Sequence, residues 1–286
     1  MPTTNPATPP KPPRLRIALI GYGAIGWPVA GAITQGQAGN ARLAAVLVRD
    51  VNKHWGDMPF STSPPPVTFT ADAGAFFDCG FDLLVEAAGH EAVRRYARRG
   101  LEKGADVLIV SVGAFADDEL YRELCDLAGE RGRRLLLASG ALPAVDWMSA
   151  AALTGECTVA ITQTKPVMSW AGTPAEEMVD LGSVTGPTCF FSGSARQAAS
   201  RFPKSSNITA MLALSTVGLD ETQVRLVADP TRQSMHTLVE FESGAGSLRV
   251  EWQGVPSEAN PSTSADVPLS VIKAIRNLTS PVCLGV

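Results

Sequence analysis

The stretch that decides the fold runs from Leu15 to Gly26 and reads LRIALIGYGAIG. Its first six residues, 15–20, are mostly apolar and end at a glycine, which is typical of a strand buried in a parallel sheet. The six residues that follow, 21–26, fit the pattern G-x-G-x-x-G, and a helix is predicted over 24–34. Because the pattern directly follows a strand and opens a helix, it predicts a dinucleotide-binding turn.

The residues of this turn have separate physical tasks. Gly21 permits the tight turn, Gly23 lets the backbone approach a pyrophosphate, and Gly26 lets the helix pack closely against the strand. Ala24 and Ile25 lie at the start of the helix, whose free N–H groups and dipole attract phosphates. We therefore predict that these five residues bind a cofactor; the alternative is a plain strand-to-helix turn.

The alternation of strand and helix continues to about residue 140. Apolar strands are predicted at 43–48, 81–87, 106–112 and 134–138, and helices at 90–103 and 117–131. Such alternation indicates an α/β fold with a doubly wound parallel sheet. We predict a Rossmann-type dinucleotide-binding domain over residues 14–140, preceded by a disordered, proline-rich tail over residues 1–13.

The pattern changes after residue 140. Strands are predicted at 159–164, 188–192, 223–228, 236–242 and 247–253, and helices at 144–153, 195–201 and 208–218. Some of these strands alternate between apolar and polar residues, as in an antiparallel sheet with one solvated face. Residues 141–263 are therefore predicted to form a second, α+β domain. A last helix over about 264–278, within the C-terminal segment 264–286, is compatible with packing on either domain.

Composition excludes several classes of function. The 286 residues include 24 Lys and Arg against 28 Asp and Glu, giving a net charge of −4. A mildly acidic chain lacks the clustered cations that nucleic-acid binding requires. No segment reaches the ~18 uninterrupted apolar residues of a membrane span, and the spaced glycines argue against a secretory signal over 17–33. We predict no nucleic-acid partner, no membrane partner and a cytoplasmic location.

Metal and disulfide chemistry are not predicted either. The five cysteines lie far apart, and the three histidines fall in no H-x-x-x-H arrangement. Structural zinc sites use closely spaced ligands, which this chain lacks. We expect the cysteines to be thiols in a reducing compartment.

The ends of three successive predicted strands carry small residues. Ala88, Gly89 and His90 follow one strand, and the segments 111–114 (Ser-Val-Gly-Ala) and 139–141 (Ser-Gly-Ala) follow the next two. Ligands of open α/β sheets bind outside the carboxyl ends of the strands. Small residues there let a flat ring lie close to the backbone, so we predict that Ala88, Gly89 and His90 contact the cofactor.

Two residues after the second strand bear on the identity of the cofactor. An acid at this point would hold the ribose 2′-hydroxyl of NAD, whereas a basic residue would accept the 2′-phosphate of NADP. The chain has Arg49 followed by Asp50. Both NAD and NADP therefore stay open, and Arg49 is included among the predicted cofactor-binding residues.

As a group, the motifs resemble those of the L-aspartate dehydrogenase family over about residues 15–278. The glycine turn and the three strand ends carry part of this resemblance, together with residue 86. The remaining blocks are Lys165-Pro166, Trp170-Ala171-Gly172-Thr173-Pro174, Gly193-Ser194-Ala195-Arg196, Phe202-Pro203-Lys204 leading to Asn207, Ala228-Asp229-Pro230 leading to His236, and Asn260-Pro261 leading to Thr263-Ser264.

The resemblance implies NAD(P)-dependent oxidative deamination of L-aspartate, through iminosuccinate, to oxaloacetate and ammonia, or the reverse reaction. It implies that Ala141 and Asn207 contact the cofactor and that His236 is the catalytic residue. It also implies a Rossmann domain joined to a catalytic domain that supports a homodimer. The partner is then a small amino-acid or keto-acid substrate.

The chain departs from the family pattern at several polar positions. Family members often carry asparagines where this chain has Ser205 and Ser234, and a lysine where it has Ser262. Loss of a cation at Ser262 would weaken the recognition of a dicarboxylate. The stretch 143–145 (Pro-Ala-Val) also departs from a more usual form that contains glycine.

The chemistry itself calls for a base with a pKa near neutrality. Hydride transfer from the Cα of an amino acid leaves an imine, which water must then attack, and histidine suits that step without a large pKa shift. His236 is the first candidate, against the alternative of a structural histidine at a strand edge. His90 is interpreted as a polar neighbour of the nicotinamide, and His54 as a solvated loop residue.

Substrate carboxylates require cationic or amide partners. Lys165 ends a predicted strand and is the first choice, with Gln163 two residues earlier on the same face because side chains alternate along a strand. Lys204 is a further choice. The alternative for each lysine is a solvated surface position.

Two other functions fit the same motifs. One is a related imine or keto-acid reductase, or amino-acid dehydrogenase, with a different substrate. The other is a non-catalytic dinucleotide-binding protein, in which replacement of His236 would have no functional effect.

Overall fold

A computed structural model describes residues 13–54 and 66–285 of the chain. For His54, Pro261 and Ser262 it describes the backbone alone. The prediction of a disordered tail over residues 1–13 therefore falls almost wholly outside the described residues. The predictions for the side chains of His54 and Ser262 also lie outside them.

The N-terminal domain is built on a parallel sheet of six strands. The strands are β1 Leu15–Ile20, β2 Ala41–Leu47, β3 Thr68–Thr70, β4 Leu83–Glu86, β5 Asp106–Ile109 and β6 Leu135–Leu137. They lie in the order β3-β2-β1-β4-β5-β6, and the helices between them are α1 Gly26–Thr34, α2 Ala73–Asp78, α3 His90–Glu102 and α4 Asp118–Glu130. This confirms the predicted Rossmann-type doubly wound sheet.

The second domain combines helices with a mixed sheet of five strands. Its elements are α5 Val145–Ala152, β7 Cys157–Lys165, β8 Thr188–Ser194, α6 Ala195–Arg201, α7 Asn207–Ser215, β9 Gln223–Ala228, β10 His236–Ser243 and β11 Gly246–Gln253. The strand order is β11-β10-β7-β9-β8, and of its pairs only β7–β9 is parallel. This confirms the predicted second domain of helices and strands.

The two faces of the mixed sheet differ in polarity. On β7, Val159 and Ile161 are buried, and on β10 their neighbours Val239 and Phe241 are buried as well. The intervening residues of both strands point the other way and are more exposed. One face therefore packs on the helices, as the alternation predicted, and the buried residues of this face join one continuous core with Val112 and other residues of the first domain.

The chain ends with a small hairpin and a helix. The hairpin consists of β12 Pro256–Ser257 and β13 Asn260–Ser264, and the helix is α8 Val267–Thr279. Val271 and Ile275 of α8 are fully buried in one core cluster with residues of α1 and β1. The sequence did not decide which domain the last helix packs on. The structure shows that α8 packs on the N-terminal domain.

Three local features differ from the sequence-based prediction. The short elements β3 and α2 were not predicted, because three strand residues and six helical residues carry too little periodicity. The strand predicted to end at residue 112 stops at Ile109, since Val112–Ala116 form a 3₁₀ helix. Residue 264, predicted as the start of the last helix, is the final residue of β13.

Two glycines of α1 differ in the room that their surroundings leave for a side chain. A Cβ added at Gly26 would lie 2.0 Å from the carbonyl oxygen of Gly21, whereas a Cβ at Gly31 meets nothing within 4 Å. Gly26→Ala must therefore displace α1 from the turn that precedes it, while Gly31→Ala replaces a poor helix former with a good one.

We predict that Gly26→Ala lowers the thermal unfolding temperature and weakens NADH binding by about tenfold or more, equivalent to about 1.4 kcal/mol. Gly31→Ala should leave NADH binding unchanged and stabilise the protein by up to about 1 kcal/mol. Thermal unfolding and fluorescence titration with NADH measure both effects. Equal behaviour of the two variants would show that close packing at Gly26 has no role.

Candidate active site

The glycine turn leaves open space where a pyrophosphate would approach. Gly21 has φ +95°, and a Cβ there would lie 2.5 Å from the carbonyl oxygen of Ala87. A Cβ at Gly23, by contrast, meets nothing within 4 Å. No side chain caps the N-terminus of α1, and its first turn holds no acidic residue. Backbone N–H groups and the positive end of the helix dipole therefore fit a dinucleotide phosphate.

Arg49 and Asp50 lie beside this turn. The N–H of Gly21 donates to the carbonyl of Leu47 at the end of β2 (2.9 Å), which brings the residues after β2 next to the glycines. Both side chains are exposed, and Asp50 Oδ1 accepts a hydrogen bond from the backbone N–H of Asn52 at 2.9 Å. Asp50 thus helps to build the local turn, while Arg49 extends from the same loop.

Glu86 is a residue whose role sequence reasoning missed. It ends β4 with 1% of its surface exposed, and its carboxylate accepts hydrogen bonds from the N–H groups of Ala88 (2.7 Å), Gly89 (2.8 Å) and Ser111 (3.0 Å). The Ser111 hydroxyl also donates to it at 3.0 Å. Burial raises the pKa of Glu86, and these four donors oppose that rise. The signal in the sequence was an acid closing an apolar strand.

His90 and Asn207 meet across the two domains. Asn207 Oδ1 accepts a hydrogen bond from the N–H of Gly113 at 3.0 Å, and His90 Nε2 lies 3.0 Å from the same oxygen. Because a carbonyl oxygen only accepts, His90 must carry its proton on Nε2 in this contact. A Cβ at Gly113 would lie 2.2 Å from Ser206 Oγ, so only glycine permits this approach.

Lys165 and Gln163 both contact the segment that precedes Asn207. Lys165 Nζ donates to Ser205 Oγ at 2.8 Å. The buried Gln163 amide donates to the Ser205 carbonyl (3.2 Å) and to Thr209 Oγ1 (2.8 Å). The two side chains therefore lie on one face of β7, as the alternation predicted, and they fix the entry to α7.

His236 occupies the same end of the mixed sheet but its opposite face. Its Cα pairs with that of Thr164, so its side chain shares a face with Thr164 and lies opposite to Gln163 and Lys165. His236 Nε2 lies 3.8 Å from Glu251 Oε2 on β11. With 21% of its side chain exposed, the imidazole has access to water.

The remaining predicted residues are placed as follows. Ala24 and Ile25, predicted as the start of the helix, lie in the turn just before α1, which begins at Gly26. Ala88 and Gly89 form the turn into α3, where their N–H groups are held by Glu86. Ala141 lies in the loop between β6 and α5, and Lys204 is exposed in the 3₁₀ turn just before Asn207. The structure thus gathers His90, Asn207, Gln163 and Lys165 around the start of α7, and it leaves His236 on the far face of the sheet.

The loop that carries Ala141 ends in an unusual conformation. Ala144 has φ +57° and ψ +24°, the left-handed region, and is the only non-glycine residue with positive φ among the residues that the structure describes. This is the stretch 143–145 in which the sequence departs from a form that contains glycine. An alanine there costs about 1 kcal/mol or more relative to a relaxed backbone.

Other kinds of site find no support within the described ranges. A cavity of about 550 Å³ lies in the second domain, but its lining of Met178, Phe190, Phe191, Ser192, Gln197 and Arg201 includes no predicted site residue. Over residues 13–54 and 66–285, no three His, Cys, Asp or Glu side chains are grouped to hold a metal ion. Within the same ranges, no helix combines the length and apolar character needed to cross a bilayer.

Comparisons with known proteins agree on both halves of the chain. Residues 21–138 match the family model of the homoserine dehydrogenase NAD-binding domain, and residues 146–278 match that of the aspartate dehydrogenase C-terminal domain. An L-aspartate dehydrogenase of Ruegeria pomeroyi is 38% identical over 93% of this chain and 94% of its own length. One from Pseudomonas aeruginosa is 38% identical over 92% of this chain and 97% of its own.

A solved structure shows the same fold. The aspartate dehydrogenase of Thermotoga maritima superimposes with a TM-score of 0.71 at 23% identity, covering 95% of this chain and 99% of that one. The overall fold of this chain is therefore shared with that of a solved aspartate dehydrogenase.

The backbone N–H of Gly113 donates to Asn207 Oδ1, so the stability of the protein should depend on that oxygen. We predict that Asn207→Ala, which leaves the Gly113 N–H without its acceptor, destabilises the protein by about 1–3 kcal/mol. Asn207→Asp keeps an acceptor oxygen at the same place and should retain most of this stability. Denaturant unfolding of both variants measures the difference, and an Ala variant as stable as the Asp variant would contradict the assigned role.

Proposed function

This chain belongs to the L-aspartate dehydrogenase family, and we propose that it catalyses the NAD(P)-dependent oxidative deamination of L-aspartate to oxaloacetate and ammonia through iminosuccinate, or the reverse. The observation that carries the proposal is the 38% identity to a named L-aspartate dehydrogenase over 93% of the chain. The geometry supports it, because a cofactor turn and a polar second domain meet at one junction.

We propose that the cofactor is held by the glycine turn and by both sides of the domain junction. The residues are Gly21, Gly23, Ala24, Ile25, Gly26, Arg49, Ala88, Gly89, His90, Ala141 and Asn207. When bound, the oxidised nicotinamide accepts the hydride. The protein orients the ring, and the hydrogen bonds that fix His90 and Asn207 to each other supply a rigid wall for that purpose.

The substrate is proposed to meet the end of the mixed sheet. Lys165, Gln163 and Lys204 are the proposed substrate-binding residues of this region. His236 is proposed as the base that takes a proton from the water attacking the imine. Its partial exposure gives it access to water, and its Nε2 lies 3.8 Å from Glu251 Oε2.

We further propose a homodimer in the cytoplasm. The face of the mixed sheet opposite the helices carries partly buried side chains such as Thr162 and Leu238 among polar ones, and a second copy of the chain would contact this face away from the end that carries His236. All five cysteines are unpaired thiols, which favours a reducing compartment.

We expect purified protein to oxidise NADH or NADPH when oxaloacetate and ammonium are both present, followed by the absorbance of the reduced cofactor. His236→Ala should lower kcat by about 10²-fold or more, the usual contribution of general acid–base catalysis. Turnover of other keto acids but not of oxaloacetate would identify a related reductase. Cofactor binding without turnover of any amino or keto acid would identify a non-catalytic protein.

The loop after β2 should set the preference between cofactors. We predict that Arg49→Ala raises KM for NADPH by about tenfold, a loss of about 1.4 kcal/mol, because the 2′-phosphate loses its cation. KM for NADH should change little, since NADH carries no such phosphate. Asp50→Ala is the matched variant and should affect NADH more. Parallel losses with both cofactors would show that Arg49 acts only on the fold of the loop.

A further inference from the structure

The helix-covered face of β7 changes character along the strand. Val159 and Ile161 lie in the apolar core, whereas Gln163 and then Lys165 follow on the same face. Lys165 is the last residue of the strand, so its amine emerges where the apolar core ends and α7 begins. The strand thus places a lysine amine at the junction of the domains without sending it into bulk water.

The partners of this amine carry no negative charge. Lys165 Nζ donates to Ser205 Oγ at 2.8 Å and lies 4.7 Å from the ring centroid of Trp170. The indole is fixed in turn, since Trp170 is 1% exposed and its Nε1 donates to the Val227 carbonyl at 3.1 Å. The amine is therefore held on two sides, and Lys165 as a whole is half-buried.

No carboxylate within the described residues lies within 4.0 Å of Lys165 Nζ. Asp229 is held beside Lys165 through the backbone, its N–H donating to the Lys165 carbonyl at 3.0 Å. Its carboxylate, however, accepts from the N–H and hydroxyl of Thr231 and lies 3.5 Å from Arg232. The nearby cation Lys204 is exposed, and His236 lies on the other face. Among the residues that the structure describes, no acidic side chain forms an ion pair with the Lys165 amine.

Burial without a counter-ion has a direct consequence for the amine. It lowers the pKa of Lys165 from 10.5 to about 8, because the low-dielectric surroundings disfavour the charged form. A neutral amine with a free lone pair is then present in quantity at mildly alkaline pH. A lysine that served only to hold a carboxylate would gain nothing from this, since it must stay charged.

The amine is also linked to the cofactor side of the junction. Its acceptor Ser205 precedes Asn207 by two residues, and Asn207 contacts both Gly113 and His90 of the first domain. A substrate lying between this junction and the end of β7 has the Lys165 amine as a neighbour.

We propose that the neutral amine of Lys165 accepts the proton that the ammonium group of the amino-acid substrate must lose before its Cα–H bond can break. This inference rests on the proposed function. The substrate –NH₃⁺ becomes –NH₂, and Lys165 becomes –NH₃⁺. The lone pair freed on the substrate nitrogen could then form the C=N bond, and a bound oxidised nicotinamide would supply the acceptor for the two electrons and the hydrogen of the Cα–H bond. In the reverse direction, Lys165 returns the proton to the newly formed amine.

The test compares Lys165→Arg with the wild type across pH 6.5–10. Arginine keeps the positive charge but cannot accept a proton, because it stays protonated throughout this pH range. We expect kcat for aspartate oxidation to fall by about 10²-fold or more while KM for aspartate changes only a few-fold. The wild-type rise of kcat/KM with pH near 8 should also disappear. Lys273→Arg, on the exposed face of α8, is the matched control and should behave as wild type.

Several outcomes would overturn the proposal. If Lys165→Arg keeps its kcat and its pH profile, or if only KM rises, Lys165 holds a carboxylate or braces Ser205 and does not move the proton. Lys165→Met provides a second variant should the arginine fail to fold, and NADH binding and thermal unfolding report the folding of both. An inactive wild type, in contrast, would count against the proposed function itself.

A direct titration tests the amine without any substrate. Lysines labelled with ¹³C at Cε are followed by NMR against pH, and the Lys165 signal is assigned by its absence from Lys165→Arg. A midpoint near pH 8 supports the proposal. Because no substrate is present in this titration, the result also holds if the enzyme acts on an amine other than aspartate. A midpoint near the ordinary 10.5 would overturn it whatever the substrate is. Ser205→Ala should retain a lowered midpoint, because burial is the cause of the shift.

Discussion

The carboxylate of Glu86, enclosed at the end of β4, organises the junction on which the site depends. One of its oxygens holds the N–H groups of Ala88 and Gly89, and the other holds the N–H of Ser111. The first pair fixes the turn that leads into α3 and His90, and the second fixes the segment that leads to Gly113. Because a carboxylate only accepts hydrogen bonds, it suits a position where four donors converge. A glutamine at this position would place its NH₂ group, a donor, against a backbone N–H such as that of Ser111, which is also a donor.

The second domain contributes Asn207 to the same junction. Asn207 offers a single oxygen to both Gly113 and His90, and the segment before it is held by Gln163 and Lys165 from β7. Hydrogen bonds and short backbone segments therefore connect the buried acid of one domain with the Lys165 amine of the other. Hydride transfer depends on orientation within fractions of an ångström, and a junction fixed by backbone N–H groups meets that need better than flexible side chains would.

Parts of this arrangement could be predicted from the sequence, and the reasons are physical. The glycine turn is a local requirement of the backbone, so spacing alone reveals it. The contact between His90 and Asn207 joins residues 117 positions apart, and only a family resemblance suggested that Asn207 belongs near the cofactor. Glu86 stood visibly at the end of an apolar strand, yet the donors that face it come from two loops and cannot be read from its neighbours. The face on which His236 lies depends on strand register, where a shift of one residue reverses every side chain.

The two proton carriers suggested for this enzyme differ in their surroundings in a way that matches their tasks. Lys165 is half-buried without a counter-ion, and desolvation lowers its pKa, which keeps a fraction of its amine neutral and therefore able to receive a proton from an ammonium group. His236, on the opposite face at the same end of the sheet, has 21% of its side chain exposed, which suits the proposed activation of water. Adjacent strands thus place the two side chains at one end of the sheet but on opposite faces. Since the side chains of β7 and β10 alternate between the two faces, one end of a single sheet keeps the two environments apart.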